Sequence, residues 1–319
     1  MHFDVFNGDA DGIIALVQLR LAQPKQSQLI TGVKRDISLL KQVRAQEAKS
    51  VTVLDISLEK NSDALKRLLA NRVEVLYVDH HRAGDIPQDD KLNAIINTDA
   101  NTCTSLLVNE LLQGKYVNWA IAAAFGDNMK AAAQTLAQQV GLSKTQQQLL
   151  EALGVYINYN GYGRDLDDLH FHPAELFTRL VKYTDPLELI ADSNSVFATL
   201  QSAYRQDMAK AGSAEVLFDG PSCKVVLLAD EAWARRVSGV FGNELANACP
   251  DKAHAVLTLN ADLSYTVSVR APLNNKQGAD NVCVQFPTGG GRAAAAGINH
   301  LPQEKLEAFI GAVSQYYLT

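Results

Sequence analysis

The 319-residue sequence predicts an α/β protein with an N-terminal parallel-sheet domain, a helical connector and a smaller C-terminal α/β domain across a cleft from the first. Three observations carry the prediction. Strand-like apolar runs alternate with helix-like ones over residues 1–135, as expected of parallel strands joined by helical crossovers. Residues 136–212 are rich in Gln, Leu and Ala with helical periodicity and no strand signal. The alternation then resumes over 213–319. At this length the chain should hold roughly two domains, each able to bury a core.

The elements follow in order. His2 to Phe6 reads as a first strand and Ile13 to Leu21 as the apolar helix after it. Gln28 to Val33 reads as a second strand, followed by a helix near Ile37 to Glu47. Val51 to Leu54 is a third strand. Leu58 to Ala70 suits an amphipathic helix, with Leu65, Leu68 and Leu69 on its inner face. Val73 to Val78 is a β-branched and aromatic run typical of a buried strand. After the polar loop from Arg82 to Lys91, Asn93 to Asn97 is a short strand. Thr102 to Leu112 is a helix capped by Asn101 or Thr102. The apolar run Trp119 to Phe125 completes the first region. In the C-terminal region Cys223 to Leu228, His254 to Leu259 and Tyr265 to Val269 read as strands. Ala232 to Ala248 and Pro302 to Tyr317 read as helices, as does the alanine segment that follows Gly289-Gly290-Gly291-Arg292.

Four hydrophobic runs of the N-terminal region finish on carboxylate. The first leads into Asn7-Gly8-Asp9-Ala10-Asp11-Gly12, another ends on Asp55, and another on Asp79-His80-His81. The run from Trp119 ends on Gly126-Asp127-Asn128. Read as parallel strands, these runs bring their carboxyl ends to one edge, where open α/β sheets bind ligands. Carboxylates massed there repel one another unless cations neutralise them. Oxygen ligands with one or two imidazoles suit manganese, magnesium, iron or zinc. Gly8 and Gly12 would let the backbone turn off the strand so that Asp9 and Asp11 both enter the site.

In these residues the chain resembles the DHH phosphoesterase superfamily, whose defining triplet stands here as Asp79-His80-His81. Gly8-Asp9-Ala10-Asp11-Gly12, Leu54-Asp55 and Gly126-Asp127 resemble its other N-terminal motifs. Val267-Ser268-Val269-Arg270 and the glycine-rich stretch Gly289 to Gly297 resemble the DHH-associated C-terminal domain. Together they cover nearly the whole chain. The resemblance implies two divalent ions, manganese with magnesium or cobalt as substitutes, held by Asp9, Asp11, Asp55, His80 and Asp127, with Asp55 bridging. His81 would donate to a phosphoryl oxygen, and Asp79 would orient a histidine. Ser268, Arg270, Gly289, Gly290, Gly291 and Arg292 would hold the far end of the substrate, and Asn7 would orient water or phosphate. Two positions depart from the common pattern. Asn7 stands near a place that is often His or Asp, and Arg292 stands where many relatives have His.

The implied reaction is hydrolysis of a short linear dinucleotide of the pGpG or pApA type to mononucleotides. A cyclic dinucleotide phosphodiesterase, an adenosine bisphosphate phosphatase and a nucleotide-binding regulator with little turnover are the alternatives. Tyr159 and Tyr162 would stack a base. His170 and His172, in an acidic loop, read as solvated rather than as ligands. A net charge of −6 argues against gripping a long nucleic acid, which needs a basic face. No apolar run reaches a membrane span, and the N-terminus enters a strand with no room for a signal peptide. Cys103, Cys223, Cys249 and Cys283 lack metal or redox spacing and point to a reducing compartment, the cytoplasm by default. The expected partner is a small nucleotide, with a homodimer compatible with the pattern.

Overall fold

The computed structural model describes residues 1–99 and 101–318. The chain divides into two compact units, Met1–Ser202 and Ala203–Thr319.

The first unit opens with β1 (His2–Phe6), α1 (Ala10–Ala22), β2 (Gln28–Ile30), β3 (Ser50–Leu54), α2 (Leu58–Ala70), β4 (Glu74–Asp79) and β5 (Leu92–Ile96). The five strands form one sheet in the order β2-β1-β3-β4-β5, every neighbouring pair parallel. The order reverses between β1 and β3. That is the topological switch point, where the crevice outside the strand ends takes ligands. Phe3, Val5, Val51, Val53, Val75 and Tyr77 bury one face of the sheet against α2, whose Leu65, Leu68 and Leu69 are inward as predicted. α1 is buried from Ala10 to Arg20 without a polar face, as befits a helix enclosed on all sides.

The remaining elements of this unit are helical. They are α3 (Thr104–Leu111), α4 (Val117–Gly126), α5 (Lys130–Gln139), α6 (Lys144–Asn160), α7 (Pro173–Leu180) and α8 (Pro186–Ala191). Then α9 (Val196–Ala211) runs across the division between the units. Three expectations are corrected here. Trp119 to Phe125 is not a strand: it lies in α4, buried throughout from Trp119 to Gly126. A short run that is apolar on every side has no period that separates strand from helix. The helix expected near Ile37 to Glu47 is a single 3₁₀ turn, Leu39–Gln42. The N-cap of α3 is Cys103, one residue beyond the expected pair.

The second unit holds β6 (Glu215–Asp219), β7 (Cys223–Leu228), α10 (Ala232–Ala248), β8 (Ala253–Leu259) and β9 (Tyr265–Arg270). They are followed by α11 (Ala279–Cys283), β10 (Gly289–Arg292), β11 (Ala295–Leu301) and α12 (Leu306–Tyr316). Its sheet runs β10-β11-β9-β8-β7-β6, with only β7 and β8 parallel. Val267, Val269, Ala255 and Leu257 turn to one core with α11 and α12. The alanine segment expected as a helix is the start of β11, paired antiparallel with the glycine strand β10. All four cysteines are free and only Cys249 is exposed. Among the described residues no helix is long and apolar enough to cross a membrane.

Candidate metal centre

The switch-point edge collects side chains from separate elements. Asp9 caps α1, its Oδ1 accepting the Asp11 and Gly12 N–H groups at 3.0 and 3.1 Å. Neither Gly8 nor Gly12 takes a positive φ. What they contribute is the missing side chain, since a Cβ at Gly8 would collide with the Gly32 carbonyl and one at Gly12 with Asn7.

Asp11 reaches the start of α3. Its two oxygens accept the Thr104 and Ser105 N–H groups, both at 2.7 Å, and the Ser105 hydroxyl donates to the Asp11 carbonyl at 2.8 Å. A carboxylate placed there meets both unpaired donors and the positive end of the helix dipole. Asp55 lies in the left-handed region at φ 60°, an uncommon place for a residue with a side chain. Its N–H donates to the Val78 carbonyl at 3.1 Å, and Thr104 Oγ1 donates to its Oδ1 at 3.1 Å.

His80 is held by the loop before α3. Its Nδ1 donates to the Thr102 carbonyl at 3.0 Å. Because a carbonyl only accepts, the neutral ring presents the Nε2 lone pair to the site. That atom stands 3.5 Å from Asp55 Oδ1 and 3.9 Å from both Asp11 Oδ2 and Asp127 Oδ2. His81 is tied differently, its Nδ1 donating to Asp79 Oδ1 at 2.7 Å while its ring packs edge-on against His80. Asp55, His80 and His81 each place one ligating atom within 4.8 Å of the others.

Asp127 arrives as the C-cap of α4 rather than from a strand end. What carries it to the site is the close approach of three helices. A Cβ on Gly126 would overlap Ala10 and Gly154, and one on Gly154 would overlap the Ala122 carbonyl.

A further side chain, missed in the sequence, completes the centre. Lys34 Nζ donates to Asp9 Oδ2 at 2.5 Å and to Asn158 Oδ1 at 2.9 Å, and lies 3.9 Å from Asp127 Oδ1. It follows β2, so it belongs to the same sheet edge as the carboxylates. Asn7 holds this arrangement: its Oδ1 accepts the Asp9 N–H at 3.1 Å and its amide donates to the Lys34 carbonyl at 3.2 Å.

The electrostatics are lopsided. Burial, reinforced by Asp11, Asp9, Asp79 and Asp127, pushes the Asp55 carboxyl well above the ordinary carboxylate range. Burial also acts to raise Asp9, but the Lys34 charge and hydrogen bond outweigh it and hold Asp9 down at about 2. Asp79 Oδ2 is buried with no hydrogen-bond partner among the described residues. Five carboxylates, Asp9, Asp11, Asp55, Asp79 and Asp127, thus meet at one sheet edge, and the Lys34 ammonium pairs with two of them, Asp9 and Asp127. Hard divalent cations fit this donor set of oxygens and one lone-pair imidazole.

Other expected residues lie elsewhere. Tyr159 cannot stack a base, because it is wholly buried with its hydroxyl against His170 Nε2 at 2.7 Å. The Tyr162 ring stands 5.4 Å from Lys34 Nζ. His172 caps α7 through its Nδ1. In the second unit, register aligns Arg270, Ala295 and Arg292 in one row across β9, β11 and β10. Ser268, Gly297 and Gly290 align in the next. Residues directly opposite share a face, as do those two apart, so both arginines and Ser268 lie on one side with only small residues between them. Arg270 donates through Nε to Asn243 Oδ1 at 2.6 Å and through Nη2 to the Gly239 carbonyl at 3.1 Å, which lays it against α10. Gly289 and Gly291 are sterically required, but a Cβ at Gly290 would meet nothing within 4 Å.

Residues 3–139 match the profile described as the DHH family, N-terminal domain. No curated protein matches the chain. Among solved structures it is similar to RecJ from Thermus thermophilus in complex with Mn2+, at 19% identity and a TM-score of 0.62. That alignment covers 99% of this chain but 52% of the other, so the chain spans about half the length of that RecJ. The pGpG-specific phosphodiesterase PggH from Vibrio cholerae aligns at 13% identity and a TM-score of 0.55, over 100% of this chain and 99% of that one. An exopolyphosphatase-related protein from Bacteroides fragilis aligns at 14% identity and 0.53, over 99% and 92%. At these identities the likeness is one of fold.

Proposed function

We propose, from the match of residues 3–139 to the DHH family's N-terminal domain, that the chain is a metal-dependent phosphoric ester hydrolase that cleaves short linear dinucleotides to mononucleotides. One observation carries the reading. Asp11, Asp55 and Asp127 converge on the His80 lone pair at 3.5–3.9 Å, at the switch point of a parallel sheet. Asp11, Asp55, His80 and Asp127 would hold a divalent ion, with Asp9 beside them. When bound, such ions supply Lewis-acid polarisation of water and phosphate, and charge for the developing oxyanion. Manganese is the ion of choice.

The protein's own groups do the rest. Asp79 fixes the His81 ring and directs its Nδ1 proton inward to the carboxylate. In the imidazolium form, with one proton on Nδ1 held by Asp79 and the other on Nε2, His81 would donate from Nε2 to the phosphoryl oxygen as negative charge builds on it. Burial of Asp9, Asp11, Asp55 and Asp79 keeps bulk water from screening these charges. In the second unit, Arg270, Arg292 and Ser268 share one sheet face around the bare backbone of Gly289 to Gly291, an arrangement that supports binding of an anionic group there. Arginine at 292 keeps a fixed positive charge there.

The substrate is inferred from size. The chain shares its whole length with a structure named as a pGpG-specific phosphodiesterase and only about half of the RecJ chain's length. A net charge of −6 also disfavours long strands. The test is manganese-dependent hydrolysis of pGpG, pApA, their cyclic forms, longer oligomers, adenosine bisphosphate and pyrophosphate, with His81→Ala beside wild type. Mononucleotides from the linear dinucleotides, with turnover reduced on the order of 10²–10⁴-fold in the variant, are expected. Equal turnover of long strands and dinucleotides would refute the substrate assignment. Tight nucleotide binding without product would make the chain a regulator.

A further inference from the structure

The two cationic positions of this site are unequal. On one side, His80 Nε2 stands 3.5–3.9 Å from single oxygens of Asp55, Asp11 and Asp127. Donors that share one small divalent ion at about 2.1 Å stand roughly 3–4 Å apart, so this half is open to a metal. On the other side the place beside Asp9 is already taken. Lys34 Nζ is 2.5 Å from Asp9 Oδ2, 2.9 Å from Asn158 Oδ1 and 3.9 Å from Asp127 Oδ1. Asp127 faces both halves, with Oδ2 toward His80 and Oδ1 toward the ammonium.

The lysine is built into this place. Its N–H donates to the Gly161 carbonyl at 2.8 Å, and its carbonyl accepts from Asn7, whose other amide atom holds Asp9. Gly32 packs so closely on Gly8 that no side chain fits between them. The lysine side chain is 23% exposed, so the charge is largely enclosed. Asn7, neutral where a charged ligand would add to the anion count, belongs to the same arrangement.

We propose that Lys34 fills the second cation position, its ammonium neutralising Asp9 and Asp127, so that the chain holds one divalent ion tightly, on Asp11, Asp55, His80 and Asp127. This rests on the metal-dependent reading above and replaces the two-ion expectation from the sequence. A fixed positive charge on Asp9 disfavours a second dication there and leaves the neutralisation independent of metal supply.

Manganese binding by the full-length protein tests it without assaying turnover. Protein stripped with chelator is titrated calorimetrically, bound metal is counted by elemental analysis, and low-temperature EPR distinguishes isolated from spin-coupled manganese. Wild type should take one tight equivalent with the spectrum of an isolated ion. Lys34→Met and Lys34→Gln should gain a second site, at least about tenfold tighter than any second site of wild type, since affinity follows ligand charge. Their spectra should broaden to that of a coupled pair. Lys34→Arg should stay at one. Two tight, coupled ions in wild type would overturn the proposal even if the variants failed to fold. So would one ion in folded Lys34→Met. Wild type with no tight manganese would instead remove the metal-dependent reading on which the proposal stands.

Discussion

On the side of β1 that faces α1, Asp4 is wholly buried. It accepts from Arg20 Nε at 2.9 Å and Nη2 at 2.5 Å, with His2 and Ser27 completing its shell. Burial acts to raise the Asp4 carboxyl, but the Arg20 and His2 contacts win and hold it well below the carboxylate range. Replacing it with Asn leaves the buried Arg20 charge uncompensated, a loss of about 3–5 kcal/mol at neutral pH. The sign of the pH dependence follows from the depression. A folded-state value below the unfolded value of about 3.9 means stability that is present above that pH and lost as pH falls. Urea melts should therefore show a gap between wild type and Asp4→Asn that is widest at pH 7 and narrower at pH 3. An equal gap at both would assign the effect to packing. The lysine that follows β2 and pairs with Asp9 differs in kind. Lys34 pairs with Asp9 although burial disfavours its charge, and it serves the site rather than the strand.

Among the elements, α4 sets the position of Asp127, and its contact with α6 is a backbone contact. Ala at 154 would drive a Cβ into the Ala122 carbonyl, so the helices must part. Gly154→Ala should lose on the order of 1–3 kcal/mol, as overpacked sites do, and should weaken manganese binding by moving Asp127 away from His80. A destabilised variant with unchanged manganese affinity would show that α4 moves as a rigid unit without shifting its C-cap. The same helix marks the limit of what the sequence disclosed. β1, β3, β4, α2, β7 and α10 were legible because their periods or boundaries are unambiguous. α4 was not, since all of Trp119 to Gly126 is buried and an apolar run without a polar face has no readable period. The alanine segment after Arg292 read as a helix from alanine content, and from Ala295 cross-strand pairing with the glycine strand overrode that propensity. Asp9, Asp11, Asp55 and His80 were legible because strand ends share an edge. Lys34 escaped because β2 is three residues long and the loop after it brings a lysine rather than a carboxylate to the edge, the one carboxylate of that loop, Asp36, being turned back to accept the Val33 N–H. The rule that located the others applies to it equally.

For the molecule as a whole, the site is a stability cost that metal removes. Asp55 is raised by burial first and then by Asp11, Asp9, Asp79 and Asp127. A folded value above the unfolded one contributes stability that is fully present below about pH 3.9 and lost as pH rises through the folded value. The metal-free protein is therefore strained at neutral pH by charge it cannot pair, and a cation that binds only the folded chain recovers the difference. At a hundredfold excess over its dissociation constant, the gain is about 2.7 kcal/mol. For a domain of roughly 200 residues that shifts the melting temperature by about 5–10 °C. Protons compete for the same oxygens, so the shift should be smaller at pH 5 than at pH 8. Thermal melts of chelator-treated protein with and without manganese at the two pH values measure it directly. A shift that is equal at both would mean that the ion binds outside the cluster centred on Asp55. A shift that grows with pH in wild type and largely disappears in Asp55→Asn would locate the stabilisation at this carboxylate.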